Sequence, residues 1–228
     1  LLHQAARHGN DPELFAGLGH VCRYCGLYDE ALAALAEARR LDPHIATSLP
    51  QTLLMAGDIE RLLELGPPIA GGTDEGIRVM GLGLAGHRDE ARQLLNSIRG
   101  SMPIKAFQTW SDYLLAWLDR RPEDMHAMLA RIVALNIQMD PEAIFLRGWM
   151  LCEVGAHAGG LVQLQQAVAK GYFAAPVLAR SHHFDPLRSK ADFEALQVEA
   201  VAGREHALSA FREAGGERLL GRQSVRAA

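Results

Sequence analysis

Strand signals are what this sequence has least of. Aromatic residues make up 6% of its 228 positions, and stretches that alternate apolar with polar residues are nearly absent. That argues against a sheet, which draws on β-branched and aromatic residues in a period of two. No apolar run approaches the roughly 18 residues of a bilayer-spanning helix. The opening Leu1-Leu2-His3-Gln4-Ala5-Ala6-Arg7 lacks the basic-then-apolar order of a secretory signal. Cys22, Cys25 and Cys152 are too few for a disulfide framework in a chain of this length, so a reducing, cytoplasmic setting is the expectation. Positive charge does not dominate either. Lys and Arg number 23 against 27 Asp and Glu, a net charge of −4, and no global field is present to hold a phosphate backbone. Nucleic acid and membrane are therefore not expected as partners. No HExxH, P-loop or GxSxG is present, and spacing alone assigns no Ser/His/Asp or Cys/His set. The chain is read as a non-enzyme with no catalytic residue, no metal ligand and no cofactor. An initiator Met is also missing, and the first residues read as the end of a helix, which sets the expectation of a portion of a longer protein.

What is present is helical. Hydrophobic residues reach 49%, enough for a packed core, and Ala and Leu supply most of them, as close-packed helices require. From Phe15 to Pro43 the order is Phe15, Leu18, Gly19, Gly26, Tyr28, Ala31, Leu35, Ala38, Leu41, Pro43. Small residues let one helix lie against the next, and the proline ends the second. Asp11-Pro12 opens this hairpin with a capping residue and a proline in the first turn. Four further hairpins follow. The second starts near His44, turns at Ala56-Gly57-Asp58 and is cut short by Gly66-Pro67-Pro68 and Gly71-Gly72. The third starts near Asp74 and turns at Ala85-Gly86-His87. The fourth starts near Ile104 and turns at Asp119-Arg120-Arg121. The fifth opens with Asp140-Pro141-Glu142, turns at Val154-Gly155-Ala156 and ends at Lys170-Gly171. The turn positions Gly26, Gly57, Gly86, Arg120 and Gly155 lie 29 to 35 residues apart, the period of a stacked array of helix pairs, none of which can bury its apolar face alone.

The stretch Phe15–Pro43 resembles a tetratricopeptide repeat, with its large residue, Leu-Gly, turn Gly, then Tyr, Ala, Leu, Ala and Pro at that family's spacing. The later repeats are degenerate: Pro50 replaces a small residue in the second, the fourth lacks the turn glycine, and the fifth keeps Gly148, Gly155 and Ala167. The resemblance implies an all-α, right-handed superhelical solenoid of antiparallel helix pairs over residues 1–170. A capping segment then follows over 171–228. Its parts, Gly171-Tyr172-Phe173, Pro176-Val177-Leu178, Phe184-Asp185-Pro186-Leu187-Arg188-Ser189, Phe193 and Leu196, resemble the segment closing such arrays in bacterial regulatory proteins. That implies a docking or sensory role beside an output domain on the same longer chain. Leu178, Phe184, Leu187, Phe193 and Leu196 are expected to form the inner face of the cover. An amphipathic helix over about Glu199–Glu213 follows, then a loose tail carrying Arg218, Arg222 and Arg226.

Several motifs have a bland reading that outweighs the chemical one. Gly81-x-Gly83-x-x-Gly86 matches a dinucleotide fingerprint, but no acidic residue stands where the ribose would need it and no strand–helix–strand alternation follows. These glycines are expected to let helices approach. Cys22-Arg23-Tyr24-Cys25 is a lone CxxC with no second pair for tetrahedral zinc. His182-His183 with Asp185 reads as a cover loop, and Asp29-Glu30 and Asp89-Glu90 as acids at helix N-termini.

The functional expectation rests on the concave side, which the first helices of each pair line. Outward positions there include Arg23, Tyr24, Gln51, Met55, Trp110, Trp117, Phe145 and Trp149, three of them being all the tryptophans of the chain. Aromatic anchors of this kind mark interfaces. Ala16 and His20 stand where some tetratricopeptide proteins carry a basic, Asn-rich clamp for a terminal carboxylate, so a protein or peptide partner offering an amphipathic helix or extended apolar segment is expected instead. Two alternatives remain: a small molecule or signal peptide that shifts the array between curvatures, and a nucleotide-dependent enzyme built on Gly81–Gly86.

Overall fold

The computed structural model describes residues 1–66, 73–99, 105–137 and 139–221. Among them the chain is all helical, with no strand. The elements are α1 (Leu2–Arg7), α2 (Pro12–Tyr24), α3 (Tyr28–Leu41), α4 (Leu49–Ala56), α5 (Ile59–Glu64), α6 (Thr73–Leu84) and α7 (Arg88–Arg99). They continue as α8 (Lys105–Leu118), α9 (Pro122–Ala134), α10 (Pro141–Glu153), α11 (His157–Ala169), α12 (Ala175–Arg180), a 3-10 turn at His182–Leu187, α13 (Ala191–Glu213) and α14 (Gly216–Leu219). Helices joined by short turns pack on one another: α2 on α3, α4 on α5, α6 on α7, α8 on α9 and α10 on α11. Successive pairs then meet through α3 with α4, α4 and α5 with α6, and α7 with α8.

Local chemistry accounts for these boundaries. Asp11 caps α2 by accepting the Glu13 amide at 3.0 Å, and Asp140 caps α10 by accepting the Ala143 amide at 3.0 Å, each with proline at the start of the helix. All five turn positions anticipated from the sequence have positive φ: Gly26 at 69°, Gly57 at 81°, Gly86 at 89°, Gly155 at 89° and, with no glycine, Arg120 at 56°. At Gly86 nothing lies near where a Cβ would stand, so the left-handed backbone is the whole reason for glycine there. Pro50 sits in the first turn of α4, directly after its first residue Leu49, where its missing N–H costs nothing. Pro67, Pro68, Gly71 and Gly72, expected to stop the second pair, lie outside the described residues, as do Ile104, Arg222 and Arg226.

The motif Gly81-x-Gly83-x-x-Gly86 falls within α6 and its exit. The helix runs through Gly81 and Gly83, so the strand and tight turn a pyrophosphate needs are missing there. The two glycines receive side chains instead. A Cβ on Gly83 would overlap the Trp117 ring, one on Gly76 the Trp110 ring, and one on Gly81 would come within 2.7 Å of Leu62. Two tryptophans seven residues apart on α8 thus seat on two glycines seven residues apart on α6, both spacings being two helical turns.

The closing segment does more than cover the fifth pair. Leu178, Phe184, Leu187, Phe193 and Leu196 are buried, and α13 packs on α11 and α12. Residues 191–213 form one helix rather than a helix beginning near Glu199. The helix runs through Gly203, where the Phe173 ring occupies the space a side chain would need. The far half of this helix and α14 then return to the beginning of the chain. Phe211 is buried with Leu18, Cys22, Leu27, Ala31 and Ala34 of the first pair, and Leu219 and Leu220 pack against it and against Ala5, Phe15, Ala38 and Ile45. Arg204 Nε donates to Gly26 O at 3.1 Å, the Phe173 amide to Tyr24 O at 2.8 Å, and the Arg180 guanidinium to Met55 O. The series of pairs therefore closes on itself.

Two substitutions separate backbone strain from packing. Gly86→Ala is expected to lower stability by about 1–2 kcal/mol, through the left-handed backbone alone. For a chain of this size that is roughly 2–4 °C in melting temperature per kcal/mol. Gly83→Ala, at an ordinary helical backbone, is expected to cost about 1–3 kcal/mol by displacing Trp117. Thermal melts followed by circular dichroism measure both. A Gly83→Ala protein as stable as the parent would show that Trp117 does not need this seat.

Candidate functional site

A buried ion pair adds to the closure. Arg23 of α2 forms a two-pronged bond to Glu142 of α10, Nε to Oε1 at 2.7 Å and Nη2 to Oε2 at 2.9 Å, and both side chains are almost entirely buried. The Tyr172 hydroxyl donates to the same Oε1 at 2.9 Å. Arg23 Nη1 also donates to Ser48 O at 3.4 Å, and Nη2 lies 3.2 Å from His20 Nδ1. Beside this group the Tyr24 hydroxyl donates to Asp140 Oδ1 at 3.2 Å, and the Tyr24 and Tyr172 rings meet edge to face at 5.1 Å. Burial alone would lower the Arg23 pKa, but the Glu142 carboxylate outweighs it and holds the guanidinium above its usual value. Burial and then the same carboxylate push the Tyr172 hydroxyl well up.

This contact joins the first helix pair to the fifth and changes the fate of the expected concave surface. Arg23, Met55, Trp117, Phe145 and Trp149 are buried. They are occupied inside the fold and not offered on a surface, which corrects their reading as open contact positions. The reason is visible at each. Trp117 Nε1 donates to Glu153 Oε2 at 2.8 Å, and Arg88 lies over its ring while donating to Glu153 Oε1. Trp149 Nε1 donates to His183 Nδ1 at 3.0 Å, and its ring lies beside Phe145 and Phe184. The Phe145 ring also meets Tyr172, 5.3 Å away. Met55 carries Arg180 on its carbonyl. Tyr24, Gln51 and Trp110 are only partly buried.

Between the pairs lies a half-open cavity of about 220 Å³. Its walls come from the first helices of pairs two to five. Ile77 and Met80 of α6, Trp110 of α8, and Leu146 and Met150 of α10 supply the apolar part. Gln51 of α4 and Asp140, Glu142 and Arg147 of or capping α10 supply the polar part. Arg147 is buried, its Nε bonds Gln163 Oε1 at 3.4 Å, and burial lowers its pKa. Asp140 receives both Tyr24 and the Ala143 amide on Oδ1. Thr47 Oγ1, Ser48 Oγ and Gln51 Oε1, at the start of α4, are buried with no protein partner; buried polar atoms of this sort are met by water or ligand.

Of the eight residues expected to bind, Gln51 and Trp110 line this cavity. Glu142 and Arg147 were not anticipated. Glu142 passes for an ordinary first-turn acid. Arg147 carried the signal that could have found it, since it is the one charge in the run Ile144-Phe145-Leu146-Arg147-Gly148-Trp149-Met150 and leaves that helix without a polar face.

The remaining reactive side chains have structural occupations. The three cysteines are unpaired, and burial pushes the Cys22 and Cys152 thiols up to about 12, far from the thiolate needed for metal or redox work. Among the described residues no group of three His, Cys, Asp or Glu is placed to hold a metal ion, and no helix is long and apolar enough to cross a membrane. Comparison with family models, curated proteins and solved structures returned no match for this chain.

Removing one partner of the closing pair leaves a buried charge uncompensated. Glu142→Ala is expected to cost roughly 3–5 kcal/mol in urea unfolding, whereas exchanging both partners in Arg23→Met with Glu142→Leu is expected to cost much less. Equal losses for the single and double variants would mean that the pair is not coupled.

The two imidazoles at the joints give a pH dependence. Burial, then Arg23, lowers the His20 pKa, and burial, then His182, lowers that of His183. The unfolded chain then takes up protons that the folded chain resists, so stability falls as the pH drops below about 6.5, the ordinary imidazole value. Above neutrality both forms are unprotonated and the contribution vanishes. Urea midpoints are expected to decline from pH 7.5 to pH 5.5 (about one unit either side of that value), and Asn at both positions is expected to flatten the decline. An unchanged slope in that variant would assign the pH effect to other groups.

Proposed function

We propose that this chain is a non-catalytic helical-repeat module, a tetratricopeptide-like right-handed solenoid of antiparallel pairs closed by its own capping segment, and that it takes its ligand into the cavity at its centre. The single observation behind this reading is the position of that cavity. The first helices of four consecutive pairs contribute to it, and these are the helices that carry the binding side of a helical-repeat array. The partner we envisage is a protein or peptide that inserts one large apolar side chain between Ile77, Met80, Trp110, Leu146 and Met150. Small, half-open and mostly apolar, with Trp110 in its wall, the cavity has the character of an anchor pocket. Support for a non-catalytic role comes from the site's own chemistry, where Glu142 is engaged by Arg23 and Tyr172 and the buried thiols are held protonated. In this reading the module is cytoplasmic and serves an output domain of a longer signalling or regulatory protein.

A second reading, sensing of a small ligand, is favoured by one observation. The cavity combines apolar walls with Asp140, Glu142, Arg147 and Gln51, the pattern of a small-molecule site. Its occupancy would bear directly on the Arg23–Glu142 joint, because Glu142 belongs to both.

Ala143 lines the cavity and is only partly buried, so Ala143→Trp fills the space from a position that bonds only through its backbone. The variant is expected to keep the helical circular-dichroism spectrum and melting temperature while losing proteins that the parent captures in cross-linking mass spectrometry from cell extract. Identical capture by parent and variant would place binding elsewhere.

A further inference from the structure

A second concavity lies apart from the central one, where the turn between α8 and α9, the junction of α10 with α11 and the 3-10 turn of the cover meet. It is an open basin of about 390 Å³. Arg120 lines it from the first of these, Glu153, Val154 and His157 from the second, and His182, His183 and Pro186 from the third. None of these side chains borders the central cavity. Among the described residues no three of its groups are placed to hold a metal ion.

Arg120 is the residue least expected there. Its φ is 56°, at a turn position that is glycine in the other four pairs. A left-handed backbone is costly for a residue with a Cβ. Asn136, the other such residue among those described, is of a type that tolerates it. The cost at Arg120 is not offset by its ion pair. Nη1 stands 3.5 Å from Glu153 Oε1, and the arginine side chain is more than half exposed; a pair of that kind contributes little. Strain without a structural return marks a functional position. Glu153 is already matched, its Oε1 accepting from Arg88 Nη2 at 2.5 Å and its Oε2 from Trp117 Nε1 at 2.8 Å. With Arg88 balancing Glu153, Arg120 is the surplus cation of the basin.

The imidazoles add donors, one of them in a fixed sense. An indole N–H can only donate, and Trp149 Nε1 donates to His183 Nδ1 at 3.0 Å. Nδ1 is therefore bare, and the ring proton of His183 sits on Nε2 as a donor. The His182 ring lies 4.0 Å from that of His183, and His157 brings a third imidazole from a separate helix. We propose that this basin binds a phosphate group, held by the Arg120 guanidinium and by imidazole N–H groups of His157, His182 and His183. A phosphate monoester has three terminal oxygens, which suits donors arriving from three directions, and the arginine fork matches two of them. A carboxylate has two oxygens in one plane. Val154 and Pro186 offer apolar wall to a substituent on the phosphate.

The test is isothermal titration of the full chain with inorganic phosphate and with phenyl phosphate, and with acetate as the control, all at constant ionic strength in chloride. At least one phosphate probe is expected to bind with a dissociation constant at or below about 1 mM, and acetate at least about tenfold more weakly. Phenyl phosphate binding about tenfold tighter than inorganic phosphate supports the site and assigns it to an organic phosphate; a smaller preference supports it as a site for free phosphate. Arg120→Gly removes the cation and suits the left-handed turn, so it is expected to melt no lower than the parent while binding at least about tenfold more weakly. His157→Gln is expected to weaken binding in the same direction at the parent's melting temperature. Ala143→Trp, which fills the central cavity, is expected to leave phosphate binding unchanged, so the two sites stand or fall separately. The proposal is overturned if both probes bind more weakly than about 10 mM, if acetate matches them, if either basin variant binds as the parent does, or if Ala143→Trp abolishes binding.

Discussion

One buried ion pair determines what the rest of this molecule can be. Arg23 and Glu142 are separated by 119 residues and share two hydrogen bonds where water scarcely reaches. Two desolvated charges are tolerated only when they meet each other with good geometry, and here Tyr172 and Ser48 O complete the set. The first helix pair is thereby held against the fifth. Around it, Phe145 meets Tyr172, and the capping segment passes Tyr24 and Gly26 through the Phe173 amide and Arg204. An open array of the same pairs would expose those side chains as a trough.

The helical architecture was legible in the sequence because its signals are local. Asp-Pro openings, five turn positions at a regular period and a Leu- and Ala-rich rhythm each act within a few residues, and the turns stand where these signals do, although α4 begins at Leu49 and not near His44. Arg120 shows how far the register carries. It occupies the turn position that is glycine in the other four pairs, and it has the left-handed backbone all the same. The closure was not legible. Arg23 looked like an outward position on an amphipathic helix and Glu142 like a helix-opening acid, and no local pattern tells that two such residues face one another across more than half the chain.

The tryptophans illustrate the same limit. Their register placed them on the inner side of the first helices, and that placement agrees with Trp110 on the cavity wall. Whether an inner side is surface or core depends on curvature, which repeat spacing does not encode. Here Trp117 and Trp149 also find partners for their indole N–H groups in Glu153 and His183, and a buried indole with a satisfied N–H behaves as core. Gly83, part of the nucleotide-like motif, and Gly76, outside it, both receive α8, a relation between positions about 34 residues apart (Gly76 with Trp110, Gly83 with Trp117) that only the stacking of two pairs reveals.

The return of α14 to α1 and Phe15 has a consequence for how the molecule comes apart. In linear arrays each unit touches only its neighbours, so the outermost units fray and unzipping proceeds inward with little cooperation. Here Leu219 and Leu220 lie on the opening helices, so the first pair has neighbours on two sides. Loosening the first pair then releases contacts with α13 and α14 as well as with its neighbour, which favours concerted over stepwise melting.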